Sequence, residues 1–453
     1  MTFEESMQYI ASLTKFGMKL GLERISALLE HLGHPERCMK FVHIAGTNGK
    51  GSVSIMVESV LRAAGYRTGI FTSPHLDHYS ERIRVGGVEI GEEELSSIME
   101  TIIPEVEAMS KDESVGTPTE FEVCTAMCFE HFRRCGVQVA VVEVGLGGRF
   151  DSTNVICPEV SVITPVGMDH MDRLGDTIEK ITWEKAGILK QGIPAVIAPQ
   201  TSVASDVIRK VSEELECLML WVGKDIKYEV ITDLTDMYGT TVDLSFNPTP
   251  FSSKTEENET PSLRVFLKML GPHQGANAAC AFGALKVLRG RGFEIPDQAI
   301  VRGMEMCVNP GRLEVVSHNP LVVLDGAHNL EGAQALAGSL EKLFSDRHTV
   351  MVCGFSVDKP YVAMLKELAP YVEEFVMTVS SQSRLGGAEV DMLVEVAEDL
   401  GVRSIGIAGA REAVRYALKA CETYEKPMVM VCGSLYLIGE VRGIWRADVK
   451  TEA

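Results

Sequence analysis

A glycine-rich segment with a lysine and a serine is the part of this sequence that points most directly to chemistry. It reads Ala45-Gly46-Thr47-Asn48-Gly49-Lys50-Gly51-Ser52, between the apolar run 41–44 and a helix-like stretch, 53–64. A strand that turns sharply into a helix directs backbone N–H groups and the positive end of the helix dipole at one place. We therefore predict a phosphate loop at residues 45–52, a variant of G-x-x-x-x-G-K-[ST]. The alternative is a tight turn with a solvated lysine.

A carboxylate followed by more glycines ends a second apolar run. Glu143 follows Val139 to Val142, and Gly145, Gly147 and Gly148 come next. Ligands gather at the carboxyl ends of parallel strands, so we expect Glu143 to face the same crevice as the phosphate loop. There its carboxylate could hold Mg²⁺ against phosphates. The alternative is a partly buried glutamate whose oxygens accept backbone N–H groups.

Three further side chains are ambiguous when taken alone. His170 follows a strand-like run and could bind a divalent metal, but Mg²⁺ prefers oxygen and a lone histidine is more often structural or exposed. Lys185 lies on a helix that we expect to begin after the N-cap Asp176 and to end near Gly192, where it reads as a surface lysine. Ser73 precedes a proline in a loop, and its hydroxyl could lie near a metal.

The second half of the chain has its own polar group. Asn277 lies where a loop enters a helix, which it could cap, or it could recognise a base edge. Arg312 follows an Asn-Pro-Gly break, and Asp325 and His328 follow the apolar run 321–324, the expected first strand of a second domain. This pattern suggests that the second domain closes over nucleotide held by the first and excludes water.

Composition limits the class of protein. With 453 residues, 45% of them hydrophobic and 23% charged, the chain reads as a soluble globular protein of two domains. Its net charge of −20 argues against a nucleic-acid or anionic-membrane surface. Eleven cysteines without a C-x-x-C pair favour a reducing cytosol over a disulfide framework or a zinc site. The acidic N-terminus, with no apolar run of about 18 residues, predicts a cytoplasmic protein without a membrane span.

Short β-branched apolar runs alternate with helical periodicity, which predicts an α/β fold with parallel sheets covered by helices. The expected strands lie within residues 137–144, 159–164, 193–198, 321–324, 349–353, 404–408 and 427–432. Residues 224–264 interrupt this rhythm and predict a peripheral strand pair, 227–232 and 240–246, followed by an exposed loop, 247–262. The break at 308–312 divides the chain into predicted domains 1–308 and 309–453.

Eight spaced motifs together resemble the folylpolyglutamate synthase and dihydrofolate synthase family, a branch of the Mur-ligase superfamily of ATP-dependent amide-forming ligases. In chain order they are residues 46–52, 72–76, 81–83, 143–148, 169–171, 184–187, 309–312 and 325–329. The resemblance runs through nearly the whole chain. It implies a P-loop NTPase-like N-terminal domain with a mainly parallel sheet and a small β subregion, a Rossmann-like C-terminal glutamate-ligase domain, and a site in the cleft between them.

The resemblance assigns the first domain's residues to ATP, metal and pterin. It implies that Gly46, Thr47, Asn48, Gly49, Lys50, Gly51 and Ser52 bind the phosphates of ATP, with Lys50 on the β- and γ-phosphates. Ser52 would lie close to the first of two expected Mg²⁺ ions and joins the metal set, and Ser73, Glu143 and His170 match the family's metal-binding positions. Lys185 matches a carbamylated lysine, which presents a carboxylate near the second metal where an ammonium would be repelled. Arg82 and Phe121 fall in segments that resemble the family's pterin side.

Residues of the remaining motifs complete the implied site. Asn277, Arg312 and Asp325 match residues that contact ATP, and His328 would lie beside them. Ser434 matches a position that helps to hold the incoming amino acid. Lys50, His170, Lys185 and His328 are the catalytic residues that we expect on this basis.

The activity implied is ATP-dependent addition of L-glutamate to a pterin or folate carboxylate. The γ-phosphate passes to the carboxylate, the amine of glutamate attacks the acyl phosphate, and phosphate leaves; Mg²⁺ and Lys50 offset the charge repulsion of the first step. We expect a monomer that accepts both dihydropteroate and reduced folates.

Two alternatives stay open. A ligase that adds amino acids to a UDP-linked peptidoglycan precursor would share the ATP site, but no uridine-nucleotide domain is recognisable before Phe41. A P-loop switch that binds nucleotide and a protein partner would need neither Lys185 nor a second nucleotide-contacting domain.

Overall fold

The computed structural model describes residues 1–17, 21–112, 114–247, 262–381 and 386–449. The strands are β1 (Lys40–Ala45), β2 (Thr68–Phe71), β3 (Ile83–Val85), β4 (Val88–Glu89), β5 (Val139–Glu143), β6 (Val160–Ile163), β7 (Ala195–Ile197), β8 (Met219–Trp221), β9 (Ile226–Val230), β10 (Thr240–Phe246), β11 (Leu263–Leu267), β12 (Glu314–His318), β13 (Leu321–Leu324), β14 (His348–Cys353), β15 (Glu374–Val379), β16 (Arg403–Gly409) and β17 (Pro427–Cys432). The helices are α1 (Phe3–Ser12), α2 (Glu23–His31), α3 (Lys50–Ala63), α4 (Glu92–Ser110), α5 (Glu120–Arg134), α6 (Met171–Leu174), α7 (Ile178–Lys185), α8 (Ser202–Glu214), α9 (His273–Gly290), α10 (Asp297–Glu305), α11 (Leu330–Leu343), α12 (Tyr361–Leu368), α13 (Val390–Asp399), α14 (Ala410–Cys421) and α15 (Leu435–Val449).

The N-terminal sheet has the strand order β4-β3-β2-β5-β1-β6-β7-β8. From β2 to β8 neighbouring strands run parallel, and β3 and β4 are antiparallel additions at one edge. The central strands are apolar and buried, with α1, α2, α4 and α5 packed in one core cluster and α7 and α8 in another. Because β1 and β5 are neighbours and Ile44 pairs with Glu143, the loops that follow these two strands emerge side by side.

A second sheet has the order β12-β13-β17-β14-β15-β16. Its strands run parallel except for β12, which pairs antiparallel with β13. Side chains of α11, α12 and α13 pack on it in a third core cluster. The predicted α/β class with a mainly parallel N-terminal sheet is therefore confirmed, and the C-terminal sheet is mixed.

The chain divides into two compact units. The first contains residues 1–229, 242–266 and 275–307, and the second contains residues 230–241, 267–274 and 308–453. The boundary predicted at residue 308 stays a prediction. Among the described residues, none of the helices combines the length and the apolar character needed to cross a lipid bilayer.

Four details differ from the expectations. The N-cap of α7 is Thr177, whose hydroxyl accepts from the N–H of Lys180, whereas Asp176 pairs with the Lys180 ammonium. That helix ends at Lys185 and continues only as a 3₁₀ turn to Ile188. The run 321–324 is the second strand of its sheet, because the half-exposed β12 precedes it. The predicted strand pair is present as β9 and β10, but β11 joins it as a third strand; residues 248–261 of the predicted loop lie outside the described residues.

Candidate active site

The phosphate loop joins β1 to α3 through two glycines that have no room for a side chain. Gly46 has a φ of +149°, and a Cβ there would overlap the hydroxyl of Thr164. Gly49 has a φ of +87° and forms the N-cap of α3; a Cβ there would lie 2.5 Å from Oδ1 of Asn277. The loop therefore requires glycine at both positions, for backbone conformation and for space.

Backbone bonds fix the loop where it enters α3. The N–H of Thr47 donates to the carbonyl of Pro165 (2.9 Å), and the Thr47 hydroxyl exchanges hydrogen bonds with the backbone of Gly167. The first bond into α3 runs from Val53 N to the Gly49 carbonyl (3.0 Å). The N–H groups of residues 50–52 precede that bond, so they face the loop at the positive end of the helix.

Lys50 and Glu143 meet beside this loop. Nζ of Lys50 donates to the carbonyls of Gly46 and Thr47, at 3.2 Å in each case. It also lies 4.0 Å from Oε1 of the buried Glu143, at the end of β5. The expected proximity of carboxylate and loop is therefore present. With Ser52 buried in the first turn of α3, these side chains supply hydroxyl and carboxylate oxygens, the donors that Mg²⁺ prefers.

Lys185 is a buried lysine, so its interpretation as a surface residue is wrong. Its side chain is 5% exposed, and Nζ donates to the Gly46 carbonyl at 2.9 Å. Burial, and then the charge of Lys50, lower the pKa of Lys185 to about 7, against the opposing effect of Asp169 and Asp151. Two lysines thus converge on one carbonyl of the phosphate loop, and one of them has an amine that is partly neutral at physiological pH.

His170 and Ser73 lie in loops after β6 and β2. His170 adopts a left-handed conformation (φ +51°) at the start of α6, is 45% exposed, and its Nε2 lies 4.0 Å from a carboxylate oxygen of Asp169. Ser73 precedes a cis peptide bond to Pro74. Among the described residues, no three His, Cys, Asp or Glu side chains cluster as a metal site. The predicted metal set relies on serine hydroxyls, and its assignment stays a prediction.

The residues predicted on the pterin side are engaged within the protein. The buried Arg82 donates to Oε1 of Glu120 and to Nδ1 of His75, each at 3.0 Å, and its guanidinium lies 4.6 Å from the centre of the Tyr79 ring. Phe121 stacks on Phe71 with ring centres 5.8 Å apart. The Phe121 ring also fills the space that a side chain on Gly145 would need. Arg82 therefore braces its own loop, and Phe121 lies against the glycines that follow β5.

In the second compact unit, three predicted residues meet after β13. The carboxylate of Asp325 accepts from the N–H groups of Leu313 and Ala327, both at 2.9 Å, and burial raises its pKa against the effect of Arg312. Arg312 donates to the Gly326 carbonyl (3.1 Å), and Nδ1 of His328 lies 2.7 Å from the same oxygen. Apart from these, Ser434 precedes α15, and its hydroxyl accepts from the N–H of Tyr436.

Sequence reasoning missed the polar residues that follow the glycines after β5. Asp151 accepts from the N–H groups of Leu146 (2.9 Å) and Thr153 (3.0 Å), and the Asn154 amide donates to the carbonyls of Arg149 and Gly187. The pattern Asp-x-Thr-Asn directly after a glycine-rich turn was the available signal, because such side chains bond to nearby backbone.

Comparison with known proteins identifies the family. Residues 44–285 match the Mur ligase middle domain, and residues 311–435 match the Mur ligase, glutamate ligase domain. The dihydrofolate synthase/folylpolyglutamate synthase of Bacillus subtilis (strain 168) is 36% identical over 445 residues, which cover 97% of this chain and 98% of the relative. The chain belongs to the folylpolyglutamate synthase/dihydrofolate synthase family of Mur ligases. The family resemblance predicted from the eight motifs is thereby confirmed.

Solved structures of this synthase family share the fold. Mycobacterium tuberculosis folylpolyglutamate synthase complexed with ADP superposes with a TM-score of 0.86 at 31% identity, covering 98% of this chain and 99% of that one. An Escherichia coli relative in complex with DHPP and ADP gives a TM-score of 0.83 at 29% identity, covering 99% of both chains. The fold of this chain is therefore the same as that of relatives whose structures were solved with ADP bound.

Proposed function

We propose that this chain is an ATP-dependent ligase that adds L-glutamate to the carboxylate of a pterin or folate, releasing ADP and phosphate. The observation that carries the proposal is the convergence of Lys50, Glu143 and Lys185 on the phosphate loop of a Mur-ligase chain. An amide bond needs an activated carboxylate, and this arrangement is suited to transferring the γ-phosphate of ATP to one.

The chain's own groups have distinct tasks in this proposal. Lys50 and the N–H groups of residues 50–52 bind the phosphates, because they lie at a helix N-terminus behind a glycine loop. The oxygens of Ser52, Ser73 and Glu143, joined by His170, would hold two Mg²⁺ ions, which neutralise phosphate charge when bound. The acid receives the γ-phosphate as an acyl phosphate, the amine of glutamate attacks its carbonyl carbon, and phosphate leaves.

Lys185 is suited to carbamylation. A buried amine with a pKa of about 7 is partly neutral at pH 7, and its lone pair can attack CO₂ to form an N–C bond with loss of one proton. The product is an anion where an ammonium stood. Its charge would attract Lys50 and a metal ion, whereas the ammonium repels both.

The remaining assignments belong to the same proposal. Asn277, which lies against Gly49 in the first unit, is assigned to ATP, and so are Arg312 and Asp325 in the second unit, where His328 lies beside them. Ser434 helps to hold L-glutamate, and Arg82 and Phe121 shape the pterin side. Residues 1–308 form the ATP-binding domain and residues 309–453 the glutamate-ligase domain of a monomer. Eleven cysteines without a disulfide support a reducing, cytoplasmic location.

The substrate range is the part to test first. Phosphate release from ATP, Mg²⁺ and L-glutamate is measured with 7,8-dihydropteroate, a tetrahydrofolate monoglutamate or a UDP-linked muramyl peptide, and product masses are recorded. We expect both pterins to gain one glutamate, which is the bifunctional activity named for the Bacillus subtilis relative. If only one of the two pterins gains a glutamate, the chain has only that one of the two synthase activities. Turnover of the muramyl peptide alone contradicts the proposal. In Lys185→Ala, ligation should collapse.

A further inference from the structure

A chain of three buried side chains connects β1 to the loop that follows β5. Nε2 of His43 lies 2.9 Å from the hydroxyl of Thr153, and that hydroxyl donates to Oδ1 of Asp151 at 2.5 Å. All three side chains are buried. Asp151 holds residues 145–149, the glycine loop, through the N–H of Leu146.

The direction of these bonds follows from the donors available. The Asp151 carboxylate accepts bonds from the hydroxyl and N–H of Thr153 and from Leu146, so the Thr153 proton points at the carboxylate. The Thr153 oxygen must then accept from His43, which carries its proton on Nε2. Burial, and then the charge of Lys190, lower the pKa of His43 to about 3, which keeps the imidazole neutral. Nδ1 of His43 is buried without a hydrogen-bond partner in the described part of the chain, so the contact with Thr153 is the polar bond that this histidine makes.

The glycine loop is packed directly on the backbone that carries Lys185. The N–H of Arg149 donates to the carbonyl of Glu184 at 2.8 Å. A Cβ on Gly148 would lie 2.8 Å from that carbonyl oxygen and 2.9 Å from the carbonyl oxygen of Lys185. The two backbone segments are therefore too close together for any side chain at position 148, and the Arg149–Glu184 hydrogen bond ties them, so a shift of the loop is transmitted to Lys185.

Within the first compact unit, these contacts connect the phosphate loop, Lys185, the glycine loop and β1 in a closed series. His43 and Gly46 belong to β1 and its loop, Lys185 Nζ reaches the Gly46 carbonyl, and the glycine loop returns through Asp151 to His43. We propose that His43 and Thr153 are positioning residues of the ligase reaction, which fix the glycine loop through Asp151 and so hold Nζ of Lys185 at the phosphate loop. This inference rests on the function proposed above.

The test compares Thr153→Val, which keeps the shape but loses the hydroxyl, with Thr153→Ser, which keeps the hydroxyl. We expect kcat for glutamate-dependent phosphate release to fall at least about tenfold in T153V, because small misplacements of a reacting group carry large rate costs, with KM for ATP within about twofold of wild type. T153S should keep most of the wild-type kcat. The matched pair at His43 is His43→Gln, which retains an N–H near the position of Nε2, and His43→Leu, which does not. We expect a higher kcat in H43Q than in H43L.

The wild type is assayed first, because its result tests the proposed function and the variants test the positioning role. A wild type without glutamate-dependent turnover contradicts the proposed function. Active wild type with unchanged kcat in T153V, or equal loss in T153S and T153V, overturns the positioning role. Thermal unfolding and ADP binding of each variant are measured in parallel. If T153V does not fold, the comparison of H43Q with H43L decides, and equal kcat values in that pair overturn the proposal.

Discussion

At the scale of single residues, the carbonyl of Gly46 organises the site because two lysines donate to it. Nζ of Lys185 lies at 2.9 Å and Nζ of Lys50 at 3.2 Å. Burial of the Lys185 amine, and then repulsion by the Lys50 ammonium, lower the pKa of Lys185 to about 7. The buried lysine lowers the stability of the folded chain and supplies a reactive amine. Such a trade-off between stability and function is common at functional sites.

Replacing Lys185 by methionine should therefore raise stability while it abolishes ligation. The pKa of Lys185 is about 7 in the folded chain against an ordinary 10.5, so between these values the unfolded chain binds more protons and the wild type gains stability as pH rises. The advantage of K185M is thus full below pH 7 and disappears towards pH 10.5. In CO₂-free buffer at pH 7 we expect its Tm to be higher by roughly 2–4 °C.

The control for this prediction is Lys210→Met, because Lys210 is exposed on α8. Its Tm should equal that of the wild type at every pH. A Tm of K185M below that of the wild type at pH 7 would contradict the buried-charge account, and a pH-independent difference would contradict the assigned pKa.

Gly49 gives a second residue-scale prediction. Gly49→Ala must place a Cβ 2.5 Å from Asn277 Oδ1 at a φ of +87°. Gly65 has a similar φ of +93° with open space around it, so Gly65→Ala bears the backbone strain alone. We expect G65A to lose about 1 kcal/mol of unfolding free energy and to bind ADP normally. In G49A the Kd for ADP should rise at least about tenfold. Equal ADP affinities by calorimetry would show that the contact with Asn277 is unimportant.

At the scale of elements, the segment between β2 and β3 is held in place by a partly buried ion pair with α5. Arg82 and Glu120 are joined at 3.0 Å, and the Tyr79 hydroxyl donates to the same carboxylate at 2.7 Å. Arg82 is buried and the carboxylate of Glu120 is partly buried, so Arg82→Ala leaves a charged acceptor without its partner and should lose about 1.5–3 kcal/mol in urea unfolding.

A double variant tests this account. Adding Glu120→Gln to R82A removes the uncompensated charge and should restore part of the loss, whereas additive losses would contradict the pairing. Arg415→Ala, which breaks the exposed pair with Glu412, serves as the control and should change stability by less than about 1 kcal/mol.

The elements that could be predicted from the sequence are those whose local hydrophobic pattern corresponds to their burial in the fold. Buried parallel strands such as β13 and β17 are continuous apolar runs, and both were predicted at their observed bounds. The edge strand β12 reads Glu-Val-Val-Ser-His and is half exposed, so hydrophobicity alone did not mark it. The start of α7 was misplaced by one residue, because Asp176 and Thr177 are both good N-caps and only the backbone conformation decides between them.

The site divides in the same way. The phosphate loop and Glu143 carry local signals, a glycine spacing and a strand-end carboxylate. The burial of Lys185 has no local sequence signal. It arises because the glycine loop packs on residues 184–187, and no local pattern encodes that contact. The His43, Thr153 and Asp151 chain spans residues 43 to 153 and exists only once β1 and the segment after β5 are adjacent. Its partners could not be matched from sequence spacing.

At the scale of the whole molecule, the thiols report how completely both compact units are folded. Of the eleven cysteines, Cys38 and Cys157 are exposed, Cys135 and Cys217 are half-buried, and the other seven are buried. Burial raises the pKa of Cys280 and Cys307 to about 12, which suppresses the reactive thiolate further. The buried pair Cys353 and Cys432, on neighbouring strands, stays as two thiols 3.6 Å apart.

Thiol titration of the native chain should therefore be strongly biphasic. With an aromatic disulfide reagent at pH 8, we expect two cysteines to react quickly, two slowly, and the rest only when denaturant is added, which brings the total to eleven. The variant Cys38→Ser/Cys157→Ser should lack the fast phase and keep the same total. Rapid reaction of more than four thiols in the native protein would mean that at least one unit opens readily. A denatured total below eleven without reductant would reveal a disulfide and contradict the reducing location.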